Sequence, residues 1–201
     1  MRPFMPRFEF LAARAFGFAR DRRGIAAVEF AMLLPIMTLL FFGMLEASDL
    51  FTVNRRLSNA TNSLVDLVAK EPSITTSELS DLIVGVTRII EPSDTSTVTM
   101  KVISVTRGPS ASDPVTVHWS RDEDGAEPYA AGSTYDKLSD DESLKPGQSL
   151  LVAEIGYIYD SGLTGRVFQL PFDFKHQSVR WPRKSSRVQL CASSDPATCT
   201  S

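Results

Sequence analysis

RDRRGIAAVEFAMLLP, residues 20–35, joins a basic stretch to an apolar run and sets one carboxylate, Glu29, inside that run. Residues 25–45 carry no other charge. As a helix rising 1.5 Å per residue they would cross roughly 30 Å of hydrocarbon. A carboxylate facing lipid costs a few kcal/mol, so Glu29 needs either a partner or a route to the headgroups. The reading of this one side chain decides how the rest of the chain is organised.

Charge is unevenly shared around the run. Within residues 1–24, Arg2, Arg7, Arg14, Arg20, Arg22 and Arg23 stand against Glu9 and Asp21, which gives net +4. Of 21 basic and 24 acidic residues in all, 15 and 22 remain for residues 25–201, net −7. Basic residues flanking an apolar helix stay in the cytoplasm, so the expected orientation is N-terminus in and C-terminal domain out. Arg55 and Arg56 beyond the run are outnumbered. An acidic exported domain argues against nucleic acid as a partner. At 43% hydrophobic and 22% charged residues, the 201-residue chain fits one anchor and one small domain, neither disordered nor wholly embedded.

The helical pattern continues past the apolar run. Leu50, Val53, Leu57, Ala60, Leu64 and Leu67 recur every three or four residues, with Asn54, Arg56, Asn59 and Asn62 on other faces. Pro72 ends the pattern because the residue before proline is driven out of the helical region. The spacing therefore predicts a transmembrane helix over 25–48, its amphipathic extension over 49–71, and an extracytoplasmic domain over 72–201. Pro35 and Gly43 are candidate kinks. Thr75 or Thr76, with Glu78 close behind, predicts the start of a shorter helix reaching about residue 90. Residues 97–106, 115–120 and 150–159 alternate or are β-branched, with weaker strands at 167–174 and 187–191. Together these give an α+β fold: a long N-terminal transmembrane and amphipathic helix, a short helix and a small antiparallel sheet. Residues 121–147, rich in Asp, Glu, Gly and Ser, read as a long functional or flexible loop.

Cys191 and Cys199 bracket the turn-rich CASSDPATC. Outside the cytoplasm such a pair reads as a disulfide, the alternative being two free thiols. Closing that loop would contribute about 2–3 kcal/mol in the chain-entropy view. A metal centre is not expected: two cysteines are too few, and His118 and His176 lie far away in sequence. Asp122, Asp124 and Gly125 faintly suggest a calcium loop but lack the later bidentate Glu, so a solvated loop is the plainer reading. Neither histidine falls in a nucleophile motif, and no phosphate-binding glycine loop occurs. No cofactor, enzymatic activity or small-molecule substrate is expected. Glu46 and Asp49 read as outer headgroup neighbours. Tyr157, Tyr159, Phe168, Phe172, Phe174 and Trp181 read as a packed aromatic sheet face.

Counted from a cut after Gly24, Glu29 becomes the fifth residue of the mature chain. An ordinary secretory signal loses its apolar stretch instead, and no small-x-small site follows Leu45. Gly24, Ile25, Glu29, Phe30 and Pro35 together resemble a type IV prepilin. GIAAVEFAMLLP is similar more narrowly to the TadE/TadG branch of tight-adherence (Flp) pilus proteins, as are LLVAEIGYIYD and the run FQLPF to VRWPRKSSRVQLC near the C-terminus. The resemblance is strongest over 20–70 and weak over 105–147. It implies a pilin-like fold and cleavage between Gly24 and Ile25 by a prepilin peptidase. It also implies an inner-membrane location, and contact with other pilin-like subunits and tight-adherence machinery through the helix. Adhesion follows as a downstream role. Glu29 could then meet the new Ile25 amine of a neighbouring subunit and set register. It could equally snorkel to the headgroups or pair with Arg22 or Arg23. The competing reading is an unprocessed, signal-anchored protein whose exported domain binds a ligand or envelope component.

Overall fold

A computed structural model of the chain describes residues 23–138, 144–159 and 172–200. The leader up to residue 22, Phe168 and the start of the strand expected at 167–174 lie outside these residues, as does part of the 121–147 segment. The chain divides into two units, Met1–Ala47 and Ser48–Ser201.

Helix α1, Arg23–Ala69, runs without interruption through Pro35 and Gly43. A proline inside a helix removes one amide donor, a loss that membrane helices tolerate. In the first unit every side chain from residue 24 to 45 is exposed. This helix is long and apolar enough to cross a membrane.

The second unit begins on α1 and continues with β1 (Ser73–Thr75), α2 (Thr76–Thr87), β2 (Thr99–Arg107), β3 (Val115–Asp122), β4 (Ser149–Tyr159), β5 (Phe172–Arg180) and β6 (Gln189–Cys191). A short 3-10 helix follows at Pro196–Thr198. Four strands form an antiparallel sheet in the order β3-β2-β4-β5, with an irregularity between Ser104 and Val105 where β2 meets β3. The strand expected near the C-terminus is not part of it. β6 instead pairs in parallel with β1, a strand the sequence reading did not include. Three residues wedged between Pro72 and α2 are too short to show a period, so only a partner could reveal them as a strand.

Thr75 caps α2 through a capping box: its hydroxyl accepts from the Glu78 amide, and the Glu78 carboxylate accepts from the Thr75 amide at 2.9 Å. Those bonds hold the Glu78 carboxyl below its usual range. The helix ends at Thr87, shorter than expected, and turns replace its last residues.

One face of the sheet packs on the helices. Val53, Leu57, Ala60, Leu64, Val65 and Val68 of α1 and Leu79, Ile83 and Val86 of α2 meet Met100, Val102, Trp119, Leu151, Ala153 and Ile155. The stripe on α1 thus packs on its own domain. It departs from a strict heptad at the end, where Val68 is buried and Leu67 is 39% exposed. A straight helix has 3.6 residues per turn, so a seven-residue stripe drifts by about 20° per heptad, and its last member, Leu67, reaches the edge of the core face. The α1 terminus is closed by the Arg183 amide, which donates to the Ala69 carbonyl at 2.9 Å. Asp66 pairs with Lys70 and Arg183, and the Lys70 hydrogen bond above all lowers its carboxyl pKa.

The opposite face carries Ile103, Val105, Val117 and Val152. It is covered by Tyr135 and Leu144, with Tyr129 and Leu138 packed alongside. Within the described part of the 121–147 segment, Tyr135 and Leu144 are thus packed on the sheet. The segment's polar composition masks a few large apolar residues, each spaced too far from the next to register as a pattern.

Candidate functional site

The Gly24–Ile25 bond lies in the first turn of α1, whose assignment begins at Arg23. Ile25 is 54% exposed. Among the described residues, a methyl group added at Gly24 would meet nothing within 4 Å. Glycine costs about 1 kcal/mol relative to alanine inside a helix, so packing gives no reason for it here. Glu29 follows Ile25 by four residues, one helical turn, and so shares its side of the helix. Its side chain is exposed among Val28, Phe30 and Met32, and no described basic residue is paired with it. These three positions form one compact constellation: a small residue, an apolar residue and, one turn after the latter, a carboxylate. Such a turn can present a peptide bond, and once that bond is cut it can hold an amine beside an acid.

Other sequence candidates take up structural positions. Asp49 accepts a hydrogen bond from the Tyr159 hydroxyl at 2.8 Å. Cys191 and Cys199 form a disulfide that ties the 3-10 helix to buried β6. Asp122 Oδ1 accepts from the amides of Asp124 at 3.1 Å and Ala126 at 2.7 Å, so it orders a turn completed by Gly125 at φ +80°. Among the described residues, no group of three or more His, Cys, Asp or Glu is placed to hold a metal. His176 shares a 2.8 Å hydrogen bond with Asn54 Oδ1, and burial lowers its pKa below 6.5. Tyr157 and Tyr159 are buried and Phe174 packs on the core, whereas Phe172 and Trp181 are exposed.

Two arrangements went unread in the sequence. The first is a polar seam between α1 and β5. Beyond His176, the Ser178 hydroxyl donates to Asn62 Oδ1 at 2.7 Å and Arg180 donates to the same atom at 3.3 Å. The alternation of Phe174, His176, Ser178 and Arg180 was the available signal. The second is a network around Glu154 on the sheet's outer face. The Tyr135 hydroxyl donates to Glu154 Oε1 at 2.5 Å and the Tyr129 hydroxyl to Oε2 at 2.9 Å. Burial, then the carboxylate, raises the Tyr135 pKa; burial does most to raise that of Tyr129. A lone Glu in the apolar strand LLVAEIGY was the clue, because a carboxylate there must find donors.

Residues 24–64 match the family model described as TadE-like protein. No curated protein and no solved structure matches the chain. The segment that contains Gly24, Ile25, Glu29 and most of the buried α1 stripe is TadE-like.

Proposed function

We propose that this chain is a pilin-like subunit, a minor pilin or pseudopilin, of a tight-adherence type IV pilus system, with a structural rather than enzymatic role. A prepilin peptidase cuts between Gly24 and Ile25, and residues 25–48 hold the mature subunit in the bacterial inner membrane. The arginine-rich leader lies in the cytoplasm and the disulfide-bearing domain outside it, where disulfides persist. Partners are the peptidase, other pilin-like subunits and the tight-adherence machinery met through the helix. Nucleic acid and small-molecule substrates are not among them, and surface adhesion is the downstream result.

The observation that carries this reading is Glu29: one exposed carboxylate in an exposed apolar helix, four residues after Ile25, in a segment whose TadE-like match starts at Gly24. Cleavage would create an ammonium group at Ile25. In low dielectric the two charges attract strongly, while desolvation offsets much of the gain, so the pairing sets register more than it adds stability. A neighbouring helix supplies that partner in an assembled bundle. The glycine that packing does not require fits a protease's need for a small residue at the cut.

Intact-mass measurement of membrane-extracted protein tests the proposal. A chain beginning at Ile25 is expected. Retention of residues 1–24 in cells with an active prepilin peptidase would overturn it and favour the signal-anchored alternative.

A further inference from the structure

The outer face of the sheet has chemistry that the helix does not explain. Two cross-strand rows lie side by side there: Lys101–Glu154–Gln177, and Thr99–Gly156–Lys175. Residues two apart on a strand share a face, so both rows point the same way. Lys137 arrives from the covering segment. Together these residues line an open groove of about 440 Å³.

Three ammonium groups from three separate parts of the chain thus converge in a domain that is otherwise acidic. The Tyr129 hydrogen bond, and then Glu154 and Asp136, raise the Lys137 pKa. Glu154 is engaged by the Tyr129 and Tyr135 hydroxyls. Lys137 Nζ donates to the Tyr129 hydroxyl at 2.7 Å and stands 4.9 Å from the centre of its ring. Lys101 Nζ lies 5.8 Å from the same ring. Among the described residues neither lysine is ion-paired, and Lys175 pairs only with exposed Asp173 at 2.7 Å. An exposed pair of that kind is easily exchanged for another anion.

The groove offers acceptors as well as cations. Both Gln177 amide hydrogens are used, by the Tyr135 hydroxyl at 2.9 Å and the Lys137 carbonyl at 3.1 Å, which leaves Oε1 to accept. Thr99 Oγ1 and the remaining lone pairs of Glu154 can accept too. A ligand matched to this set carries anionic groups and hydroxyl donors together. Sugar acids do. A DNA backbone has no such hydroxyls, and its bases would find no free aromatic face, since Tyr135 is buried and Tyr129 is flanked by two lysines. The open side admits a polymer passing across the sheet.

We propose that this groove binds the carboxylate-bearing sugar units of an acidic polysaccharide, with Lys101, Lys137 and Lys175 holding the carboxylates and Gln177 and Thr99 accepting from hydroxyls. This inference rests on the adhesive part of the proposed function and supplies its ligand class.

The test uses the full chain in detergent micelles, immobilised and exposed to polygalacturonate, to dextran as a neutral polymer and to duplex DNA. At about 50 mM salt, polygalacturonate is expected to bind, to weaken as salt rises, and to outcompete DNA, while dextran does not bind. The double variant K101Q/K175Q, which leaves the tyrosine–Glu154 network in place, should lose affinity by about tenfold or more. Lys184→Gln, away from the groove, should bind as the parent does. Unchanged thermal midpoints identify the loss as one of contact. Absent polygalacturonate binding, equal binding of dextran, tighter binding of DNA, or full affinity in the double variant would each overturn the proposal. Processing at Gly24 is read by mass, so failure of binding leaves that reading intact.

Discussion

Tyr159, the last residue of β4, donates its hydroxyl to Asp49 Oδ2 at 2.8 Å, joining residues 110 apart in sequence. Asp49 is the second residue of the folded unit. The bond fastens the end of β4, the sheet's longest strand at 11 residues, to the start of the domain's part of α1. Tyr159→Phe keeps the ring and removes the donor, so it should cost about 1 kcal/mol in a urea titration. An unchanged midpoint would mean that Asp49 is equally well served by water.

The buried stripe on α1 should be far more sensitive than its exposed neighbour. Leu57 and Leu64 are fully buried while Leu67 is 39% exposed. Leu57→Ala should destabilise the domain by about 2–5 kcal/mol, and Leu67→Ala by less than about 1 kcal/mol. Chemical denaturation of both variants checks the drift of the stripe directly; equal losses would restore the heptad reading.

The α2 cap is a local prediction. Thr75→Ala removes the oxygen that accepts from the Glu78 amide and should cost about 1 kcal/mol. Thr75→Ser should recover most of it, read as the difference in thermal midpoint.

Acid should act on the α1–β5 seam before it acts on the carboxylates. Burial holds His176 neutral below its ordinary pKa of 6.5. The unfolded chain therefore takes up this proton first, so His176's contribution is complete above about pH 6.5 and declines as pH falls through the folded value. Asp66, Glu78 and Asp94 are also lowered, but from ordinary values near 4, so their losses come at lower pH. His176→Gln should flatten the stability profile in the window just below about pH 6.5. A variant with the parent's slope in that window would remove His176 as its source.

Gly24→Val should leave the fold alone and stop processing. The position has open space around it. The expected outcome is a full-length membrane protein with a wild-type denaturation midpoint and no chain beginning at Ile25. A processed variant would show that a small residue is not what the peptidase reads.

Several of these features were legible from residue order alone. The apolar run, a cap at Thr75 or Thr76, β2 to β4 and the stripe through Val53, Leu57, Ala60 and Leu64 each show within a single element, and such a signal is a local property of the chain. Glu154, a charge among apolar strand residues, was a signal that went unread, and residue order does not say which phenols would meet it. Gly24, Ile25 and Glu29 lie within six residues of one another, so their proposed role is argued from residue order.

What residue order could not reveal depends on contacts between distant segments. β1 is a strand only because β6 lies against it, and β6 left the main sheet for the same reason. Asn54 and Asn62 gained partners once β5 crossed α1, and Tyr135 and Leu144 became core once their segment folded back over the sheet. Three lysines scattered over 75 residues became a groove through strand register. Sequence set the periodicities and the charge at the apolar helix's entrance; tertiary structure alone chose the partners, because hydrogen-bond and packing complementarity between remote segments exists only after the chain has closed on itself.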